Sequence, residues 1–358
     1  MFFDDHAARL AAFARISQAI GRRTDYVQGG GGNTSVKLEN GLMAIKASGY
    51  RLSDVTDRSA YAVLDYQKLS QFYYDHEPAD FENVEAAGAD FAKAQTKVIE
   101  GLQPLRPSVE AGFHSILKTY VVHTHSVYAN LAACSEACRD IAALAFEGTN
   151  YSWGWVDYAD PGANLTFAIR DELRRVKALT GKIPSVILMQ NHGIIVHDDD
   201  PNIALAIQTD CNARLASFFG LTTAAFPQIK IRELAGGFYA ADTPYLKQQL
   251  KNCAYTHQQL MENPLYPDQM VFLVGNYYMD QKGIPEGQGV ASTKTGELIM
   301  NMDEGKAQTL TEILTAVFFV MEQIQLAGYP LSTMGAAAQS FIANWESEKY
   351  RKALAEKK

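Results

Sequence analysis

The sequence predicts an α/β fold. It has a helix-period segment near its N-terminus, a hairpin signature after a run of glycines, and short apolar runs that lead directly into histidines. In the first segment, Asp4 to Gly21, the apolar residues Leu10, Phe13, Ile16 and Ile20 recur at helical spacing until Gly21 ends the pattern. The glycine run is Gly29-Gly-Gly-Gly-Asn33-Thr-Ser35. The alternating Val36-Lys37-Leu38 follows, then the Asn40-Gly41 turn signal and Leu42 to Ala47, which together predict two strands joined by a hairpin. Val121–Val122 and Val186–Met189 read as buried strands whose ends carry chemistry.

Helices are expected over Val109 to Thr119, Tyr128 to Ala133, Leu165 to Leu179 and Pro201 to Phe219. The acids Asp198 to Asp200 suit the N-terminus of the last of these, so they require no metal. Beyond about residue 225 the character changes. Ala235-Gly-Gly237 precedes a helical stretch to about Glu262, then come Pro264, Pro267 and an apolar strand over Met270 to Val274. Thr293-Lys-Thr-Gly296 suggests another hairpin, and helices over Glu304 to Ala327 and Thr333 to Ala355 close the chain. The expected division is therefore 1–225, carrying the chemistry, and 226–358, a smaller α+β extension of unknown role.

The bulk properties narrow the function. With 358 residues, 47% hydrophobic and 20% charged, the chain can bury a substantial core and reads as neither disordered nor fibrous. A net charge of −8 has the wrong sign for gathering nucleic acid or anionic lipid, so any anion must be caught by a local site. The apolar stretch around Thr315 to Met321 is too short for a membrane span, and MFFDDHAARL does not read as a signal peptide, so a cytoplasmic location is expected. Cys134, Cys138, Cys211 and Cys253 are too sparse for a disulfide scaffold and read as buried thiols.

The constellation that carries chemistry is His123-Thr-His125 with His192. Two imidazoles two residues apart on extended backbone point to the same side, roughly 6 to 7 Å apart at their Cα atoms, and can reach one ion. His192 stands in Gln190-Asn-His-Gly193, where the glycine lets the backbone turn away. Three imidazoles suit zinc and leave a fourth position for water or substrate. The competing reading is three unrelated histidines satisfied by hydrogen bonds. Glu110, in Arg106-Pro-Ser-Val-Glu110, could ligate the ion, act as a base, or only favour a helix N-terminus. The glycine run and Lys46-Ala-Ser48-Gly49 have the composition of anion-binding loops, though a flexible turn would also explain the glycines. Neither a P-loop nor a dinucleotide fingerprint is present, since the glycines precede a strand.

Taken in order, GGGGNTS (29–35), KASG (46–49), PSVE (107–110), HTHSVYANLA (123–132), YADPG (158–162) and QNHGIIV (190–196) resemble the class II aldolase/adducin family, which includes fuculose- and rhamnulose-1-phosphate aldolases and a ribulose-5-phosphate 4-epimerase. The resemblance implies a three-layer α/β/α domain around a mainly antiparallel sheet. It implies a zinc ion, or another divalent metal such as Mn2+ or Co2+, on Glu110, His123, His125 and His192, with Glu110 also the acid–base residue. Gly32, Asn33, Ser48, Gly49 and Ser108 would line a substrate phosphate site, and a homo-oligomer, dimer or tetramer, is expected. The C-terminal third is similar to the segment that follows the aldolase module in bifunctional aldolase/dehydrogenases.

Two departures matter. Gly30 and Val109 stand where the family often has hydroxyl residues, so phosphate recognition is weakened or replaced, and the tyrosine proton donor has only Tyr151 as a candidate. The implied activity is that of a lyase of carbohydrate metabolism, a zinc-dependent aldehyde-lyase that reversibly cleaves a sugar phosphate or related hydroxy-carbonyl compound through a metal-stabilised enediolate. A 4-epimerase on the same site and a non-catalytic adducin-like module are the alternatives, the last of which lacks the metal ligands retained here.

Overall fold

The computed structural model describes residues 2–344. Among them, eight strands form one sheet: β1 (Asn33–Lys37), β2 (Leu42–Lys46), β3 (Tyr61–Asp65), β4 (Thr96–Lys97), β5 (Tyr120–Thr124), β6 (Trp153–Val156), β7 (Val186–Met189) and β8 (Gly193–Asp198). Their order is β4-β3-β2-β1-β5-β8-β7-β6. Only β6 and β7 pair in parallel, from Trp153↔Val186 to Val156↔Met189. The rest is antiparallel, as expected for the large sheet.

Helices cover both faces, which is why the central strands read as unbroken apolar runs where a half-exposed sheet would alternate with polar residues. Val36, Val63 and Val122 pack with Leu10, Phe13 and Ile16 of the helix Ala7–Gly21. The neighbouring residues Ile45 and Leu64 point the other way, onto Leu69 and Phe72 of the helix Tyr66–Asp75. The same alternation splits β7, with Ile187 packing on Ile169 of the helix Ala163–Thr180 and Leu188 joining Leu215 of the helix Pro201–Phe218 on the opposite face. Burying both faces makes the strand register strict, because a one-residue slip would exchange the two sets. Asp200 caps Pro201–Phe218 by accepting from the amides of Asn202 and Ile203, as the acidic run suggested.

A second sheet, β9 (Ile231–Glu233), β10 (Tyr239–Ala241), β11 (Tyr277–Met279), β12 (Gln288–Ala291) and β13 (Leu298–Asn301), has the order β11-β12-β13-β10-β9. The expected hairpin over Thr293 to Gly296 joins β12 to β13. The long helix Glu304–Leu326 shares one core with the first sheet, its Phe318, Phe319 and Val320 packing with Tyr128, Leu131 and Leu215. That helix is apolar on most of its circumference and long enough to cross a membrane by length and composition, but 72% of its apolar window is buried inside the protein. Enclosure by neighbouring elements accounts for its composition.

The apolar run Met270 to Val274, expected as a strand, belongs instead to the helix Pro267–Leu273. A short apolar run does not distinguish buried strand from buried helix by periodicity, and Pro267 at the first position with Asp268 in the first turn starts a helix. The helix expected over Val109 to Thr119 is shorter, Ala111–Ile116, and Glu110 lies just before it. Of the final helix, Ala336–Asn344 is described, and the remainder of that expectation lies outside the described residues.

Candidate metal centre

Strand register assembles the site. β5 lies between β1 and β8, so Asn33 pairs with His123 on one side and Ile195 with His123 on the other. β7 returns into β8 through a tight turn, with Met189 opposite Gly193, and His192 occupies that turn beside the end of β5. Asn191 takes a left-handed conformation there (φ 49°), and a Cβ on Gly193 would run into the carbonyl oxygen of Thr124. Gly32 has φ 64°, and a Cβ there would lie 2.7 Å from the carbonyl oxygen of His123. Glycine is thus needed at both positions for the backbones to approach.

The three histidines expected to share an ion do converge. Their ring centroids form a nearly equilateral triangle with sides of 4.9, 5.0 and 5.1 Å, all three side chains are buried, and one ring nitrogen from each lies within 4.8 Å of the others. Nδ1 of His123 faces the carbonyl oxygen of Ile194 at 3.1 Å, and Nδ1 of His125 is bonded to the carboxylate of Asp268. Both partners are acceptors, which places the protons on Nδ1 and leaves lone pairs on Nε2. Those two Nε2 atoms stand 3.1 Å apart. Two facing lone pairs repel unless a cation lies between them, and nitrogens on tetrahedral zinc sit about 3.3 Å apart for Zn–N bonds of about 2.0–2.1 Å. The donor set therefore fits a divalent metal. Burial holds the His123 imidazole well below its ordinary pKa, keeping it neutral and ready to ligate.

Glu110 completes the group. It precedes the helix Ala111–Ile116 without capping it through its side chain. Its carboxylate is turned to the imidazoles, with Oε1 3.3 Å from Nε2 of His192 and Oε2 3.6 Å from Nε2 of His123. Asn33 Nδ2 donates to Glu110 Oε2 at 2.6 Å and to Ser108 Oγ at 3.0 Å. Behind it, His114 bonds the side-chain oxygen of Asn33 through Nε2 and meets Ser35 Oγ at 2.7 Å through Nδ1. Burial pushes the His114 pKa down to about 3, so it is neutral.

A narrow cleft opens on this centre. The residues expected around a substrate anion, Gly32, Asn33, Ser48, Gly49 and Ser108, all line it, together with Lys46, whose ammonium donates to the carbonyls of Tyr50 at 2.8 Å and Gly30 at 3.2 Å. The C-terminal third supplies the facing wall through Pro267, Asp268 and Ile342.

Tyr151, the candidate proton donor, is not brought to this cleft. It precedes β6 at the end where that strand begins, whereas His192 follows the far end of the parallel partner β7. Its hydroxyl donates to Asp210 Oδ2 at 2.8 Å and accepts from Cys211 Sγ at 3.4 Å, and burial, followed by these neighbours, raises its pKa. Three participants are not singled out by the sequence. His114 sits on a buried helix face like any core histidine, Lys46 stands out only within an anion-loop composition, and Asp268 lies in a segment expected to lead into a strand.

A buried cluster of three histidines and one glutamate at the ends of central strands of a mainly antiparallel sheet, beside a glycine-rich polar loop, defines an α/β protein with a metal-capable centre. The chain belongs to the family described as Class II Aldolase and Adducin N-terminal domain, which matches residues 11–211. Similar solved structures include the N-terminal class II aldolase domain of a conserved protein from Thermoplasma acidophilum, at 21% identity over 57% of this chain and 91% of that one (TM-score 0.48). They include L-fuculose-1-phosphate aldolase from Thermus thermophilus, at 16% identity over 58% and 92% (TM-score 0.34), and a sugar-phosphate aldolase from Thermotoga maritima, at 14% over 59% and 95% (TM-score 0.39). No curated protein matches the chain.

Proposed function

We propose that this protein is a zinc-dependent aldehyde-lyase that reversibly cleaves a small hydroxy-carbonyl compound, a sugar phosphate or a related sugar acid. The observation that carries the reading is the convergence of His123, His125 and His192 on one point, with the Glu110 carboxylate 3.3 and 3.6 Å from two of them and the polar cleft opening beside it. A divalent cation held there would supply Lewis acidity at the substrate's carbonyl and hydroxyl oxygens.

The chain's own residues do the rest. Ser48, Ser108 and the loop amides hold the anionic or polar end of the substrate, and the ammonium of Lys46 adds positive charge to that side of the cleft. Glu110 moves the proton at the carbon where the bond breaks or forms, and the Asn33 amide holds its carboxylate in place for that task. The walls from Pro161, Pro267 and Ile342 limit access of water. Zinc is favoured by the three-imidazole donor set, and Mn2+ or Co2+ would fit the same ligands. A homo-oligomer in the cytoplasm, acting on a small molecule and on neither nucleic acid nor membrane, completes the reading.

The test couples metal analysis of the purified protein to an aldehyde-release screen over phosphorylated and unphosphorylated ketoses. Stoichiometric metal with release of a free aldehyde is expected. Isomerised sugar with no aldehyde would make the protein a 4-epimerase, and a preparation that holds no metal after supplementation would leave a non-catalytic module.

A further inference from the structure

Among the described residues, the C-terminal third, which lies outside the family match, hydrogen-bonds the histidine cluster through one side chain. Asp268 stands in the first turn of the helix Pro267–Leu273, fully buried, with Oδ2 bonded to Nδ1 of His125. We propose that Asp268 is a positioning residue for the metal centre: it sets the tautomer and aim of His125, and so makes the cation affinity of the N-terminal domain depend on the C-terminal segment. The inference rests on the reading of His123, His125 and His192 as a cation site.

The two histidines of the His-Thr-His pair are held differently. His123 lies within β5 and is locked by the sheet, because its Nδ1 meets the carbonyl oxygen of Ile194 on the neighbouring strand β8. His125 lies beyond the last residue of β5, where no strand partner orients its ring. Asp268 takes over that task. An anionic carboxylate accepting from Nδ1 keeps the proton there, leaves Nε2 as the ligating lone pair, and raises the basicity of the imidazole toward a cation. A carbonyl oxygen, the partner of His123, does the first two and less of the third.

Packing makes the pair rigid. A Cβ on Gly31 would lie 2.5 Å from Asp268 Oδ2 and 2.9 Å from His125 Nδ1, so the glycine loop presses on the contact and admits no larger residue. The segment that carries Asp268 is anchored in turn. Gln269 accepts from the amide of Leu265 at 2.8 Å and donates to the carbonyl of Leu260 at 2.8 Å. Leu265 also receives the side-chain amide of Asn191, the residue before His192, at 2.9 Å. One C-terminal segment therefore holds both His125 and the turn that presents His192.

The experiment uses the full chain, stripped of metal with a chelator, as wild type, D268N and D268A. Zinc affinity is read by chelator competition, the ligand field by the visible spectrum of the Co2+ form, and folding by the melting temperature of the metal-free protein. Asparagine keeps the size of aspartate, so the metal-free D268N melts close to wild type while binding zinc 10- to 100-fold more weakly, with an altered Co2+ spectrum. D268A, which offers no acceptor, binds at least as weakly as D268N. Unchanged zinc affinity in D268N overturns the proposal, and so does a loss of affinity matched by an early metal-free melt, which would make Asp268 a folding residue only. The parent reading fails separately, if wild type binds no zinc or if its zinc survives His123→Ala.

Discussion

Asn33 Nδ2 lies 2.6 Å from Oε2 of Glu110, while its side-chain oxygen faces His114, so one buried amide orients the carboxylate of the candidate acid–base residue. The arrangement is directional. Neutral His114 donates to the amide oxygen, and the amide nitrogen is thereby committed to Glu110 and Ser108. Asn33→Ala removes the donor and leaves Glu110 and His114 buried without it. The expected cost is about 1–3 kcal/mol of stability for the unsatisfied groups, measured by urea unfolding, with a fall in kcat larger than the change in KM.

Glu110 combines two possible roles, ligand and proton carrier, which Glu110→Gln separates. The three imidazoles remain, so bound metal should stay near one per chain by elemental analysis. Turnover should drop by roughly 10²–10⁴, the usual contribution of a positioned acid or base. Loss of metal together with activity would show that the carboxylate is an indispensable ligand.

Gly193→Ala tests the close approach that forms the His192 turn. The added methyl would collide with the Thr124 carbonyl, which is backbone and cannot swing aside. A destabilisation of about 3 kcal/mol or more is expected, with loss of zinc affinity, because the β5–β8 spacing also fixes His123. Equal stability and affinity in the variant would contradict the turn geometry.

Acid should weaken the fold through buried histidines. Burial pushes both His114 and His197 down to about 3, from an ordinary value near 6.5. The unfolded chain then binds more protons than the folded one between these values, so stability is full above pH 6.5 and is lost as pH falls toward 3, by about 1.4 kcal/mol per pH unit for each histidine. Metal-free protein unfolded by urea at pH 7, 6, 5 and 4 should show this slope. His197→Gln should make the slope shallower, and a stability independent of pH over that range would refute the assignment.

Much of the architecture is legible from local pattern. The helices Ala7–Gly21 and Pro201–Phe218, the β1–β2 hairpin and the strand Val186–Met189 follow from spacing and turn residues, since amphipathic periodicity reports which face of an element is buried. Met270 to Val274 reads as a strand yet is helical, because a short apolar run buried on all sides carries no period to distinguish the two. Tyr151 has the right chemistry for a proton donor in a stretch whose position relative to the histidines no local signal reports.

By itself the sequence determined that three histidines and a glutamate stand at strand ends and at a helix start, and that glycines flank them, which sufficed to name the candidate metal ligands in outline. Only the tertiary structure decided that those side chains share one point, that His114 stands behind Asn33, and that Asp268 reaches His125 from 143 residues away. The physical reason is range. Propensity and periodicity act over a few residues, whereas the partner of a buried ring is set by how whole layers of the protein pack.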